Sequence, residues 1–351
     1  MRRALTLARK GWGQTAPNPM VGAVVVRAGE IVGEGYHEGF GQAHAEVNAI
    51  HAAGDAAKGA TLYVTLEPCR HHGKTPPCTD AIVAAGLTRV VIASMDPTTQ
   101  AGGGAALLRG AGISVDTGIL RAEAEELNAP FFHGARADTP WTTLKLAVSM
   151  ETAISDARGS TTQLTSPPAR AAVHHLRAGH TAIAVGVGTV LADNPMLTVR
   201  EAPPPRVPLT RVIFDRTLRT PLEATVVRTA AETPTIIVTQ SESTSRAGAL
   251  RDAGVRLLAA RSLDEAFRHL HRLGVHSLLV EGGAALATAV LEAGLVQRLI
   301  ILQAPVLLGR NALYAFDGAA PATLGRLELL PVLERRQLGA DVMTTYAMAE
   351  R

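Results

Sequence analysis

Cysteine is nearly missing from this chain: Cys69 and Cys78 are the only two in 351 residues. A disulfide-built scaffold is thereby excluded. One closely spaced pair leaves two uses, a local disulfide or shared ligation of a metal, and the nearby His44-Ala45-Glu46 favours the metal. Aromatic residues make up only 3% of the chain, so little is available to stack on bases. The net charge is +3 without any basic block, so no nucleic-acid partner is expected. No run approaches the roughly 18 apolar residues that a membrane helix needs, and no membrane partner is expected either. Residues 1–10 interleave apolar positions with arginine and precede no small-residue cleavage site. They read as a short amphipathic helix, and the protein is expected to be cytoplasmic.

Lysine is scarce as well. Of 34 basic side chains only Lys10, Lys58, Lys74 and Lys145 are lysines. Where arginine has replaced lysine almost throughout, a surviving lysine is a candidate for a position that needs a compact amine, although chance survival explains any single one equally well. What is abundant is small and aliphatic: 47% of the residues are hydrophobic, mostly Ala, Val and Leu. A chain of this length and composition is expected to form two domains, each with its own core.

Apolar runs at 21–26 and 30–36, split by Ala28-Gly29, read as a β-hairpin. A helix then starts at His44. Residues two apart on a helix point about 200° apart, so His44 and Glu46 can share a target only where the chain enters the first turn. Residues 61–66 alternate as a strand and deliver Glu67-Pro68-Cys69 at its end. Cys78 opens a helix over 79–85, where the dipole and free amides favour a thiolate. A strand at 89–94, a helix at 105–110 and a strand at 113–116 complete an alternating α/β unit. The pattern lapses over 128–140, which puts the boundary near Thr139: one domain over 1–139 and a second over 140–351. In the second, strands are expected at 142–148, 181–185, 212–214, 234–238 and 277–280, helices at 168–178, 245–253, 263–273 and 284–293, and further strands up to Met348.

One His and two Cys make a three-ligand set. Zinc prefers four, and a site that keeps one position for water or substrate is catalytic rather than structural. Glu46 is the unligated carboxylate that can move protons there. His51, His71 and His72 read as ordinary surface histidines.

His-x-Glu followed by Pro-Cys and a second Cys resembles the cytidine-deaminase superfamily signature. That pattern usually spaces its two cysteines closely, whereas here Arg70 to Pro77 intervene. The stretch from Glu67 to Cys78, with Asn18-Pro19 and Gly33-Glu34-Gly35-Tyr36-His37, closely resembles the bacterial riboflavin-biosynthesis deaminases. The resemblance implies a layered α/β/α cytidine-deaminase-like domain with zinc on His44, Cys69 and Cys78, and Glu46 as proton shuttle. It implies substrate contacts from Asn18, His37 and Lys74, the last toward a phosphate. Thr98 stands where the family usually has Asn.

In the second half, Leu144-Lys145-Leu146-Ala147, the run from Thr189 to Arg200, and Glu281-Gly282-Gly283 resemble the reductase partner of that family. A dihydrofolate-reductase-like α/β fold and NADPH are implied. Thr189, Asp193, Gly282 and Gly283 would approach the cofactor, and Arg177, Leu197, Arg200 and Glu281 the substrate. Lys145, Asp193 and Glu281 are candidates for acid or base. Two departures fall on the cofactor side: Ser149-Met150-Glu151-Thr152 where Ser-x-Asp-Gly is common, and Gln163 where Trp is common.

The expected activity is bifunctional: zinc-dependent deamination of a small phosphorylated pyrimidine, then NADPH-dependent reduction of its ribosyl group. A homo-oligomer, in the first instance a dimer, is expected. Two other readings stay open, a deaminase whose second domain only binds or dimerises, and a nucleic-acid deaminase.

Overall fold

The computed structural model describes residues 1–73, 76–316 and 329–348. The chain divides into two compact units, Met1–Arg136 and Ala137–Arg351. Among the described residues no helix is long and apolar enough to cross a membrane.

The first unit runs α1 (Arg2–Ala8), β1 (Gly22–Arg27), β2 (Glu30–Tyr36), α2 (Ala45–Ala53), β3 (Thr61–Leu66), α3 (Cys78–Ala84), β4 (Arg89–Ser94), α4 (Gly104–Gly110), β5 (Ser114–Thr117), α5 (Arg121–Leu127) and α6 (Ala129–Gly134). Its sheet has the order β2-β1-β3-β4-β5. β1 is antiparallel to β2 and β3, and β3, β4 and β5 are parallel. Alternation along the strands sends Leu62, Val64, Val90 and Ile92 to one face, where they meet Ala49 of α2, Ile82 of α3 and Leu108 of α4. The other face packs Val24 against Ala4 and Leu7 of α1, and Ala93 against Leu5 and Ala124 of α5. Burying a side chain such as Leu62 or Ile82 stabilises the unit by about 1.5–3 kcal/mol. The result is the three-layer α/β/α arrangement.

The expected lapse over 128–140 is only partly real, because α6 occupies 129–134. Asn128 broke the helical pattern because it joins two helices. Its buried amide accepts from the Met20 backbone N–H at 2.8 Å and donates to the Met20 carbonyl at 2.9 Å.

The second unit contains β6 (Trp141–Val148), β7 (Ala153–Ser155), α7 (Pro167–Ala178), β8 (Ala182–Gly186), α8 (Val187–Asp193), β9 (Thr210–Phe214), α9 (Thr225–Arg228), β10 (Thr235–Thr239), α10 (Ser245–Asp252), β11 (Arg256–Ala259), α11 (Leu263–Arg272), β12 (Ser277–Val280), α12 (Ala284–Glu292), β13 (Arg298–Gln303), β14 (Leu313–Tyr314), β15 (Val332–Leu338) and β16 (Asp341–Ala347). Nine strands form one sheet in the order β11-β10-β9-β8-β12-β6-β13-β16-β15. From β11 to β13 the neighbours are parallel; β16 runs antiparallel to β13 and to β15. The loops after β8, β12, β6 and β13 therefore gather at one edge of the sheet, where α/β proteins build their sites. Four elements of this unit, β7, α8, α9 and β11, were not expected from the sequence. Gly186 and Gly188 lower the helical signal of α8, and β11 is a four-residue edge strand.

Gly33 and Gly35 let α2 lie directly on β2. A Cβ at Gly35 would fall 2.4 Å from the Ala49 nitrogen and 2.5 Å from the Ala45 oxygen, and one at Gly33 would fall 2.3 Å from the Ala49 oxygen. These contacts are backbone and cannot rotate away. Gly35→Ala is expected to lower stability by about 1–3 kcal/mol or more, as overpacking does. Urea unfolding of the variant checks this, and an unchanged midpoint would contradict the seating of α2.

Candidate metal and reductase sites

His44 is the N-cap residue of α2, in extended backbone (φ −76°, ψ 162°), and Glu46 stands in the first helical turn. Cys78 opens α3 directly after Pro77, and Cys69 follows β3 through a short turn. These segments bring the His44 Nδ1 within 3.2 Å of the Cys78 Sγ and 3.5 Å of the Cys69 Sγ. The ligand atoms of the three residues all lie within 4.8 Å of one another, and both cysteines are free and buried. A tetrahedral zinc with Zn–S of about 2.3 Å and Zn–N of about 2.0–2.1 Å has N···S edges of roughly 3.6 Å. The donor set and its spacing therefore fit zinc.

The Cys78 backbone N–H donates to the Cys69 Sγ at 3.4 Å, a helix-terminal amide aimed at a thiolate. The hydrogen bond with Cys78 is the main influence that lowers the Cys69 thiol, to about 4, and the same contact together with burial pushes Cys78 up. Zinc takes cysteine sulfurs as thiolates, so metal binding and loss of thiol protons are linked. Glu46 is buried, and burial pushes its carboxyl up to about 7 against the opposing pull of His44. A carboxyl poised near neutrality suits a proton shuttle.

His37 packs edge-on against His44, with ring centroids 5.3 Å apart. Its Nε2 lies 3.2 Å from Asn18 Nδ2 and its Nδ1 3.1 Å from the Ala43 carbonyl. Asn18 and His37 thus border the metal ligands, while Lys74 lies outside the described residues. Thr98 turns back into its own loop, with its N–H and hydroxyl both bonded to Asp96 Oδ1 at 2.8 and 2.6 Å. Sequence reasoning gave Glu67 no role, yet its carboxylate is buried and accepts three backbone N–H bonds. A Glu directly before Pro-Cys at a strand end was the available signal.

In the second unit, strand register pairs Val280 with Leu144, so Glu281 and Lys145 come next in line on neighbouring strands. Arg177 of α7 grips Glu281 through two nitrogens at 2.6 and 2.9 Å and also donates to the Thr198 carbonyl at 2.9 Å. The Lys145 Nζ stands 3.6 Å from the Glu281 Oε2. Burial alone would raise Glu281, but Lys145 and Arg177 bring it down to about 2. Burial lowers the Lys145 ammonium. The cluster holds two cations and one anion.

Arg200 joins this neighbourhood through its backbone N–H, 3.2 Å from His174 Nδ1 on α7, while its side chain bonds Thr198. The Leu197 side chain is buried in the core with Ile183, Val185 and Ile213, in left-handed backbone at φ +52°. Gly282 and Gly283 enter α12 with φ of +98° and +78°, and a Cβ at Gly283 would lie 3.3 Å from the Thr189 Oγ1. Thr189 and the glycine turn are therefore neighbours. Asp193 is bonded by the Thr161 hydroxyl, and no hydrogen bond or ion pair among the described residues joins it to Lys145 or Glu281. Thr161 escaped the sequence reading because nothing local marks it.

The two departures are explained in part. Thr152 adopts φ +68°, keeping the left-handed turn that glycine would supply. Glu151 clamps the next loop, its carboxylate accepting from the Leu308 and Gly309 amides. Gln163 is exposed, and nothing in the structure explains it.

Residues 1–94 match the model for the cytidine and deoxycytidylate deaminase zinc-binding region, and residues 140–343 the model for the RibD C-terminal domain. Fold and site thus define a zinc-dependent deaminase unit joined to an NADPH-dependent reductase unit. The riboflavin biosynthesis protein RibD of Aquifex aeolicus is 46% identical over 89% of this chain and 87% of its own length. That of Actinobacillus pleuropneumoniae is 40% identical over 99% and 94%. Among solved structures, Acinetobacter baumannii RibD is 35% identical with a TM-score of 0.87, covering 99% of this chain and 97% of that one. A Thermotoga maritima diaminohydroxyphosphoribosylaminopyrimidine deaminase/5-amino-6-(5-phosphoribosylamino)uracil reductase gives 34%, 0.87 and the same coverage. The chain belongs to the RibD family of bifunctional riboflavin-biosynthesis enzymes.

Because Glu281 is held below its ordinary value of 4.5, at about 2, its contribution to stability is present above pH 4.5 and lost as pH falls toward 2. Glu281→Gln is expected to cost on the order of 3 kcal/mol at pH 7. The gap from the native chain should narrow below pH 4.5. Urea unfolding at several pH values measures it, and a gap that is small or independent of pH would contradict the buried ion cluster.

Proposed function

We propose that the first unit hydrolyses the exocyclic amine of 2,5-diamino-6-(5-phosphoribosylamino)pyrimidin-4(3H)-one, and that the second reduces the product's ribosyl group to ribityl with NADPH. The observation that carries the reading is the convergence of the His44 Nδ1 and the two cysteine sulfurs beside a buried Glu46. Bound zinc supplies a lowered pKa to the water it holds. Glu46 moves a proton from the attacking water to the departing ammonia. Asn18 and His37 border the ring-binding space, and Lys74 is assigned to the phosphate.

In the second unit NADPH supplies the hydride. The chain's part is to fix the opened sugar and deliver the matching proton to its carbonyl oxygen. Lys145 is the group assigned to that proton, since its burial beside Arg177 makes the ammonium more acidic. Glu281 and Arg177 orient it, and the excess positive charge of the cluster suits an anionic substrate. Thr189, Gly282 and Gly283 line the turn assigned to the cofactor, with Asp193 at the end of α8. The kept turn at Thr152 supports turnover over the reading in which this unit only binds or dimerises. The protein is assigned to the cytoplasm, with residues 1–139 and 140–351 as its functional halves and a dimer as its working form.

Glu46→Gln should keep zinc bound while ammonia release falls by about 10²-fold or more, as loss of a general acid–base group does. Metal analysis and an ammonia assay on the same sample read the two separately. A zinc-loaded variant that still releases ammonia at the native rate would remove Glu46 from the mechanism.

A further inference from the structure

We infer that Glu67 is a positioning residue for the metal centre, fixing where the Cys69 sulfur stands. This rests on the reading of His44, Cys69 and Cys78 as zinc ligands. Glu67 leaves β3 with its backbone N–H donating to the Ser94 carbonyl at 2.9 Å, and its side chain is only 4% exposed. Its Oε1 accepts from the Ala105 N–H at 2.8 Å and the Gly103 N–H at 3.2 Å, both at the start of α4. Its Oε2 accepts from the Asp96 N–H at 3.2 Å, where the chain leaves β4. No ion pair is formed by Glu67 among the described residues. The charge is instead held wholly by oriented backbone amides, which makes each hydrogen bond a strong one.

The consequence reaches Cys69 through one residue. α4 lies so close to Pro68 that a Cβ at Gly104 would sit 1.9 Å from the Pro68 oxygen. Pro68 is therefore gripped by α4 directly, and the preceding residue is tied to α4 and to the loop after β4. Cys69 follows with little freedom left, its carbonyl accepting from the Thr79 N–H at 3.3 Å and its sulfur from the Cys78 N–H. The same loop after β4 carries Thr98, so Glu67 joins the ligand strand to that loop. Groups that hold metal ligands in place commonly govern affinity by about 10–100-fold.

Glu67→Gln is nearly isosteric but turns an amide NH2 toward backbone donors. In the full chain it is expected to weaken Zn²⁺ binding by about 10–100-fold, measured by chelator competition on the stripped protein. The Co²⁺-substituted protein should show a shifted thiolate-to-metal charge-transfer band. NADPH oxidation with the deaminated product should stay native, which marks the second unit as intact, and a native far-UV circular-dichroism spectrum marks the first. Glu67→Asp keeps the charge but reaches only one of the two anchor points, and should fall between the two in affinity. It serves as the test if Glu67→Gln does not fold. Native Zn²⁺ affinity and an unshifted Co²⁺ spectrum in the variant that folds would overturn the inference. Failure of the native chain to bind Zn²⁺ would instead overturn the ligand reading on which it rests.

Discussion

The metal centre depends on the direct seating of α2 on β2. His44 and Glu46 can face a common point only because both belong to the entry of that helix, one as cap and one in the first turn. The entry in turn is fixed by backbone contact across Gly33 and Gly35, which leaves no room for even a methyl group. From there the geometry closes through the parallel strands. β3 and β4 end side by side, Cys69 follows one, and α3 brings Cys78 to it with a helix-terminal amide already aimed at the sulfur. Helix seating and strand register thus bring the three donor atoms to spacings that match a zinc tetrahedron.

The second unit solves a different problem. It holds an uneven set of charges, Lys145, Arg177 and Glu281, in a largely buried position. Breaking such a cluster is costly because it leaves an uncompensated charge in a poor solvent for ions. Its surplus positive charge is tolerable in the free protein only because Glu281 is shared and Arg177 has the Thr198 carbonyl as a further acceptor. The same three side chains that stabilise the unit are those assigned above to the substrate end of the proposed reductase site.

Much of this was legible in the sequence, for identifiable reasons. Strands such as 61–66 and 89–94 are short apolar runs with clear ends, and the ligand motif sits at those ends. The spacing of His44, Glu46, Cys69 and Cys78 predicted their convergence because each lies at a helix start or just past a strand. Glu67 was not legible as an anchor, since its partners are backbone amides of 96, 103 and 105 that no side-chain pattern announces. Leu197 was legible as part of a run that resembles a substrate loop, but the core its side chain completes was not, since its partners at 183, 185 and 213 lie elsewhere in the chain. The helix at 187–193 and the join at Asn128 were hidden by residues that locally disfavour helix yet serve turns and caps.

One chain thus carries two sites that act in sequence on the same metabolite. The most direct measurement is NADPH oxidation by zinc-stripped protein offered either the diamino substrate or the deaminated product. No oxidation is expected with the first until Zn²⁺ is restored, and full oxidation with the second throughout. NADPH consumption on the diamino substrate without zinc, or none on the deaminated product with it, would contradict that order of reactions.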